Sequence, residues 1–175
     1  QPGTPVINNL SGDTLVYVMN DTVSMIDQSI AATVTDSDVT SLDEAGLLDG
    51  SLHIEITAGV DVTEDVLGIT EGAVNGVTVA LSTGYTVNSV VSIDGTAIGT
   101  ITDIGTGVDA LDPEISFTVT FDQVAGSATL ANVNTLIQAV TYVNTDIATA
   151  TEGVRTVSFL VSDGVFNTEV STSVT

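Results

Sequence analysis

Two aspartates, Asp36 and Asp38, leave the apolar run Ile30-Ala31-Ala32-Thr33-Val34 with one residue between them. Carboxylates spaced i and i+2 at a strand exit can converge on one hard cation while the intervening residue turns away. Calcium takes about six to eight oxygens at roughly 2.3–2.6 Å and completes carboxylates with backbone carbonyls and water. The same loop continues with Asp43, Glu44 and Asp49. A second acidic group, Asp61, Glu64 and Asp65, precedes Val66-Leu67. Asn144 and Asp146 follow Tyr142-Val143, and Asp163 stands in Ser162-Asp163-Gly164 after the longest alternating run. All four groups sit at strand exits, where a β-sandwich gathers its loops. The competing reading is that these aspartates supply turn chemistry in solvated loops. The pattern predicts Ca2+ as the cofactor, with ligands drawn from Asp36, Asp38, Asp163, Asp49, Glu64, Asp65, Asn144 and Asp146.

Other chemistries are poorly supplied. The chain has no cysteine, hence no disulfide framework, thiolate zinc site or cysteine nucleophile. His53, the only histidine, lies inside the alternation Leu52-His53-Ile54-Glu55-Ile56 and reads as a sheet-face residue with no serine matched to it. No EF-hand, P-loop, Gly-x-Ser-x-Gly or His-Glu-x-x-His pattern occurs. Paired carboxylates hydrolyse glycosides in some enzymes, but a sugar site favours aromatic platforms, and there is no Trp and only seven Phe and Tyr. The chain reads as non-catalytic.

Twenty-three acidic residues face a single cation, Arg155, for a formal charge of −22. Phosphate neutralisation needs Lys and Arg, so nucleic acid is excluded as a partner, and an anionic membrane surface with it. Metal cations, or a partner rich in basic groups, remain. Halophilic origin is another source of such acidity, but Asp outnumbers Glu 16 to 7, which favours the commoner calcium ligand. Arg155 must sit in a negative field and is expected to pair with a carboxylate as a structural clamp. No apolar run approaches the ~18 residues of a membrane span, and Gln1-Pro2-Gly3 does not read as a signal peptide. The chain reads as a processed product or a piece of a longer one.

The elements that position these groups are β-strands. Length suggests one domain over 1–175, with 1–5 as a linker or N-terminal arm. Twenty-eight Thr and 27 Val, nearly a third of the residues, suit a pleated, half-buried surface. Short alternating runs near 14–18, 30–34, 52–56, 77–81, 90–93, 115–121, 140–143, 154–161 and 169–174 are separated by turn signals such as Asn75-Gly76, Asp94-Gly95, Asp112-Pro113 and Asp163-Gly164. Nine or ten such strands predict an all-β, antiparallel immunoglobulin/cadherin-like sandwich. One segment departs from alternation: Leu130, Val133, Leu136, Ile137 and Val140 recur at helical spacing after Thr129, a plausible N-cap. A short helix over 129–139 is expected to cover one end or edge of the sandwich.

Thr4-Pro5-Val6-Ile7-Asn8-Asn9-Leu10-Ser11-Gly12-Asp13-Thr14, Val34 to Asp38, Asp49 to Leu52, Glu64 to Ile69, Ile98-Gly99-Thr100, Ile137 to Thr145, and Arg155 through Gly164 follow one another in a familiar order. Over roughly 4–170 the chain resembles a repeat module of giant acidic bacterial surface proteins and adhesins. Val-Thr-Asp-x-Asp after a strand and Val-Ser-Asp-Gly near the end are also similar to cadherin-like modules. The Asp-x-Asn-Asp-Asn linker of cadherins is absent from this sequence. The resemblance implies an extracellular, cell-surface spacer or adhesion module, a calcium-rigidified β-sandwich stacked with identical or similar modules. It supports Asp36, Asp38 and Asp163 as ligands. A second reading is a self-assembling filament or surface-layer subunit, in which the N-terminal segment or Glu169–Thr175 adds a strand to a neighbour. A cell-surface or matrix ligand is a further candidate partner.

Overall fold

The computed structural model describes residues 3–19, 21–44, 49–106, 114–146 and 148–175. Among them the strands are β1 (Val6–Asn8), β2 (Thr14–Leu15), β3 (Ser24–Met25), β4 (Thr33–Thr35), β5 (Ser51–Ala58), β6 (Asp65–Ile69) and β7 (Gly72–Val74). They continue with β8 (Val77–Leu81), β9 (Val90–Ile93), β10 (Thr96–Thr106), β11 (Glu114–Thr120), β12 (Val140–Asn144), β13 (Arg155–Ser162) and β14 (Asn167–Val174). One helix, α1 (Leu130–Gln138), stands between β11 and β12. The fold is predominantly β with one short helix. The turn expected at Asp112-Pro113 and the first two residues of the expected arm lie outside the described residues.

Nine strands share one sheet in the order β2-β14-β13-β5-β11-β10-β9-β8-β7. Half of it is local. β7 to β11 run as consecutive antiparallel neighbours, and the tight turns of β7–β8 and β9–β10 follow from sequence. Asn75 and Gly76 have φ of 49° and 86°, and Asp94 and Gly95 have 47° and 79°. Positive φ at both central residues matches the right-handed twist of a hairpin, and Asn-Gly and Asp-Gly adopt it at low cost. The other half is assembled from distant segments: β5 pairs with β11 on one side and β13 on the other. β14 then pairs antiparallel with β13 and parallel with β2, so the ladder is not wholly antiparallel. A three-stranded sheet, β3-β12-β6, and the pair β1-β4 complete the strands. β6 lies against β11 without sharing a ladder, so the small sheet packs against the large one there.

Alternation explains what lies between the layers. In β5, Leu52, Ile54 and Ile56 are buried while His53 and Glu55 reach outward, and in β13 Val157, Phe159 and Val161 point inward. Phe117, Phe121 and Phe159 are among the largest fully buried side chains. Each such burial is worth about 1.5–3 kcal/mol against exposure. The helix forms where expected. Thr129 Oγ1 accepts the Asn132 amide at 3.2 Å as its N-cap, and Val133, Leu136 and Ile137 are buried. Its apolar stripe is therefore core packing. α1 leans on β4, where Asn134 Oδ1 accepts the Val34 amide at 2.5 Å and Gln138 Nε2 donates to Ala32 O at 2.8 Å.

Candidate functional site

β4 leads into Asp36 and Asp38, and the turn between β13 and β14 carries Asp163, whose charge is felt at Asp36. Asp36 Oδ1 accepts the Asp38 amide at 3.2 Å, which folds the loop back on itself. Asp163 is buried, and its Oδ1 accepts the Val165 and Phe166 amides at 2.7 and 2.6 Å, closing the turn. Asp36 Oδ2 is buried with no hydrogen-bond partner. Burial raises the Asp36 carboxyl above its ordinary value, and the Asp38 carboxylate, then Asp163, push it further. Asp38 moves the other way: its contact with the Asp36 side chain, and then the Gly3 amide, lower it. Two adjoining carboxylates do not both ionise cheaply, so a proton or a cation between them is favourable. The N-terminal arm closes this pocket. A Cβ on Gly3 would collide with the Asp36 and Asp38 carboxylates and the Ser37 hydroxyl. Only a residue without a side chain brings the backbone this close.

The second acidic group has a different occupant. Arg155, 4% exposed, sets its Nε on both oxygens of Asp65 at 3.1 and 3.0 Å, its Nη2 on Glu64 Oε1 at 3.2 Å and its Nη1 on Gly153 O at 2.9 Å. Tyr142 donates to Asp65 Oδ1 at 2.5 Å, and the Asp61 amide donates to Asp65 Oδ2 at 2.6 Å. Burial first, and then the bond to Asp65, hold the Tyr142 hydroxyl well above its usual range, so it stays a neutral donor. Glu64 Oε1 also accepts the Thr151 amide at 2.7 Å. The clamp expected of Arg155 is thus present. Glu64 and Asp65, expected as calcium ligands, are already paired with the Arg155 guanidinium, one positive charge against their two negative ones.

The remaining expected ligands are separate. Asp146 accepts the Ala148 and Thr149 amides and the Thr149 hydroxyl at 2.7–2.9 Å, and its own amide donates to Asn144 Oδ1 at 2.9 Å. That is loop-closing work, and the Thr149 hydroxyl, then its amide, lower the Asp146 carboxyl. Asp49 is exposed. Among the described residues no three histidine, aspartate or glutamate side chains form a ready metal cage as they stand.

Two carboxylates have structural duties that no sequence pattern reveals. Asp43, 5% exposed, accepts the Gly126, Ser127 and Ala128 amides at 3.1–3.2 Å and the Ser127 and Ser41 hydroxyls. Asp13 accepts the Gln28 and Ser29 amides and the Ser29 hydroxyl. Apart from Ser41, their partners lie 15 to 85 residues away, so no local motif announces them.

No family model, curated protein or solved structure matches this chain. Function must follow from the chemistry of its own residues. Among the described residues, no helix is long and apolar enough to cross a membrane.

Beside Asp13 lies Asp27, whose Oδ2 accepts the Ala32 amide at 2.9 Å and whose buried Oδ1 has no partner. Burial, then Asp13, raise the Asp27 carboxyl above its ordinary 3.8. A group whose pKa rises on folding favours the fold when protonated, and that benefit is lost as pH climbs through the folded value. Asparagine has no proton to lose, and its amide can donate to Asp13. Asp27→Asn is expected to gain about 1 kcal/mol at neutral pH. The melting temperature should rise about 2–4 °C. The gain should vanish below pH 3.8, where Asp27 itself is protonated. Melting curves across pH check this, and a variant that melts lower at neutral pH overturns it.

Proposed function

We propose that this chain is a non-catalytic, extracellular structural or adhesion module, a β-sandwich-like unit rigidified by calcium and stacked with modules of its own kind at a cell surface. The observation that carries the reading is the buried, unpartnered Asp36 Oδ2 set against Asp38 and Asp163 beneath the Gly3 backbone. An orphaned carboxylate oxygen, anionic neighbours and a backbone cradle that excludes side chains fit a hard cation. Asp36, Asp38 and Asp163 would hold it, and the ion would neutralise charge and tie the N-terminal arm to the β13–β14 turn. Glu64, Asp65, Asn144, Asp146 and Asp49 have no comparable case. The resemblance to repeats of giant acidic surface proteins points the same way, as does a charge of −22 that divalent ions relieve.

Thermal unfolding with millimolar calcium and then with chelator tests the site. At about 100 times its dissociation constant one bound ion adds about 2.7 kcal/mol. That corresponds to a rise of roughly 5–10 °C in a chain of this length. The joint variant Asp36→Ala, Asp38→Ala should abolish the rise. The response should also fade on acidification as Asp36 takes up its proton. An equal rise with sodium chloride of matched ionic strength points to general screening, as in a halophile, and no rise at all removes the calcium mechanism.

The alternative, a filament or surface-layer subunit joined by strand donation, keeps one supporting feature, an open strand edge at β2. Donation of Glu169–Thr175 is disfavoured, because β14 pairs with β13 along its whole length and its end, Ser173 and Val174, also pairs with β2. Light scattering of the chain separates the readings: a monomer stiffened by calcium supports the module, and polymer supports the subunit.

A further inference from the structure

The outer edge of β2 and the cavity beside it carry an inference independent of calcium. Leu15 O accepts the Thr175 amide at 2.9 Å and the Tyr17 amide donates to Thr175 O at 2.8 Å, so residues 15 and 17 turn their backbone groups toward β14. By strand geometry Thr14 and Val16 present theirs outward. Val16 is 69% exposed, and no hydrogen bond to its N–H or C=O occurs among the described residues. Val18 and Met19 continue the exposed apolar stretch. Beyond it the chain turns: Asp21 Oδ2 accepts the Val18 amide at 3.0 Å and the Asp21 amide returns to Val18 O at 2.8 Å.

Alongside this edge lies a cavity of about 460 Å³. Tyr17, Val18, Met19, Tyr142, Ala150 and Glu152 are among the residues that line it. Tyr17 and Tyr142 meet edge to face at 5.1 Å. The volume suits one or two large side chains. Arg155 reaches the cavity, but Glu64 and Asp65 already neutralise it. The acidic side chain in its lining is Glu152, and the exposed Asp21 is held beside it on the Val18 amide.

We propose that this edge and cavity form a docking site for an extended segment of another protein, basic and aliphatic in alternation. Its backbone pairs with Thr14 and Val16, an aliphatic side chain enters the cavity, and flanking Lys or Arg residues meet Glu152 and Asp21. A strand added to a sheet edge takes affinity from main-chain bonds and specificity from the pocket for its side chains. Charge decides the occupant. A second copy would bring −22 against −22 and has no lysine and only a buried arginine to offer. A basic segment is attracted instead.

The probe is a fluorescently labelled peptide, acetyl-Lys-Val-Lys-Leu-Lys-Val-Lys-amide, titrated by anisotropy at about 0.15 M NaCl. Saturable binding is expected, with a glutamate-for-lysine peptide inactive. Val16→Pro removes the outward N–H without changing charge and should weaken binding at least about tenfold. Ala150→Leu, which narrows the cavity, should weaken the leucine peptide more than an alanine-for-leucine version. Both variants are first checked for parental melting temperature. Should Val16→Pro fold poorly, hydrogen exchange of the Val16 amide in the parent tests the same contact, and its protection should increase on peptide addition. Equal binding by parent and variants, or an unchanged Val16 amide, would mean diffuse electrostatic adhesion and overturns the proposal. A peptide-free dimer that Val16→Pro dissolves would assign the edge to a second copy and overturns it equally.

Discussion

Replacing Arg155 by methionine is expected to destabilise the fold by about 3–5 kcal/mol, the usual cost of stripping one partner from a buried ion pair. Arg155, Glu64 and Asp65 expose 4%, 5% and 0% of their side chains, so no water can take the place of the guanidinium. Two carboxylates would be left against each other, with only the Tyr142 hydroxyl, the Asp61 amide and the Thr151 amide to share between them. Total stabilities of domains are about 5–15 kcal/mol, so about a fifth or more of the margin is at stake. Melting temperature should fall by roughly 6–20 °C. Arg155→Lys keeps the charge but a single ammonium cannot reach Asp65, Glu64 and Gly153 O together, so it should rescue only in part. Adding Asp65→Asn and Glu64→Gln to Arg155→Met should recover stability relative to Arg155→Met alone. Denaturant melts of the series decide: a lone Arg155→Met as stable as the parent would mean the network contributes nothing.

The second large effect is expected at Asp43. Its two oxygens collect three consecutive amides, from Gly126 to Ala128, and two hydroxyls. Those amides lie directly before the helix cap at Thr129, and Leu42 N also bonds Ala128 O at 3.0 Å. Removing the carboxylate leaves buried donors without an acceptor, at about 1–3 kcal/mol each for those that water cannot reach. Asp43→Ala should cost about 3 kcal/mol and loosen the entry to α1, while Asp43→Asn, which keeps one acceptor, should cost less. Hydrogen exchange of the Ser127 and Ala128 amides reads the site directly. Unaltered protection in Asp43→Ala would show that the loop is held by other bonds.

What is legible in sequence is whatever is decided within a few residues. Thr129 and the spacing of Val133, Leu136 and Ile137 specify α1, and Asn75-Gly76 and Asp94-Gly95 specify hairpin turns, because caps and positive-φ turns are local physics. β10 is hidden: Thr96-Ala97-Ile98-Gly99-Thr100-Ile101 carries two small residues where alternation would place bulk, and its pairing shifts register between Ala97 and Gly99. β6 reads as the flank of an acidic loop, since Asp65 opens it and looks solvated until Arg155 arrives from 90 residues away. The candidate site divides in the same manner. That Asp36 and Asp38 form a pair is written in their spacing, and the resemblance adds Asp163 to them, but the closing role of Gly3 depends on where the arm lies. That Arg155 needs a carboxylate follows from scarcity; which carboxylates it takes does not, because long-range pairing sets them.

A lysine-free chain whose sole arginine is packed beneath the surface offers trypsin one place to cut, the bond after Arg155, at the first residue of β13. While the fold holds, that bond sits in a sheet with its side chain clamped by Asp65 and Glu64, and the enzyme's specificity pocket cannot capture it. Proteolysis at that single point requires β13 to leave its neighbours. The same arrangement that gathers the charge of the core also makes this sequence refractory, in its native state, to every protease that reads basic side chains.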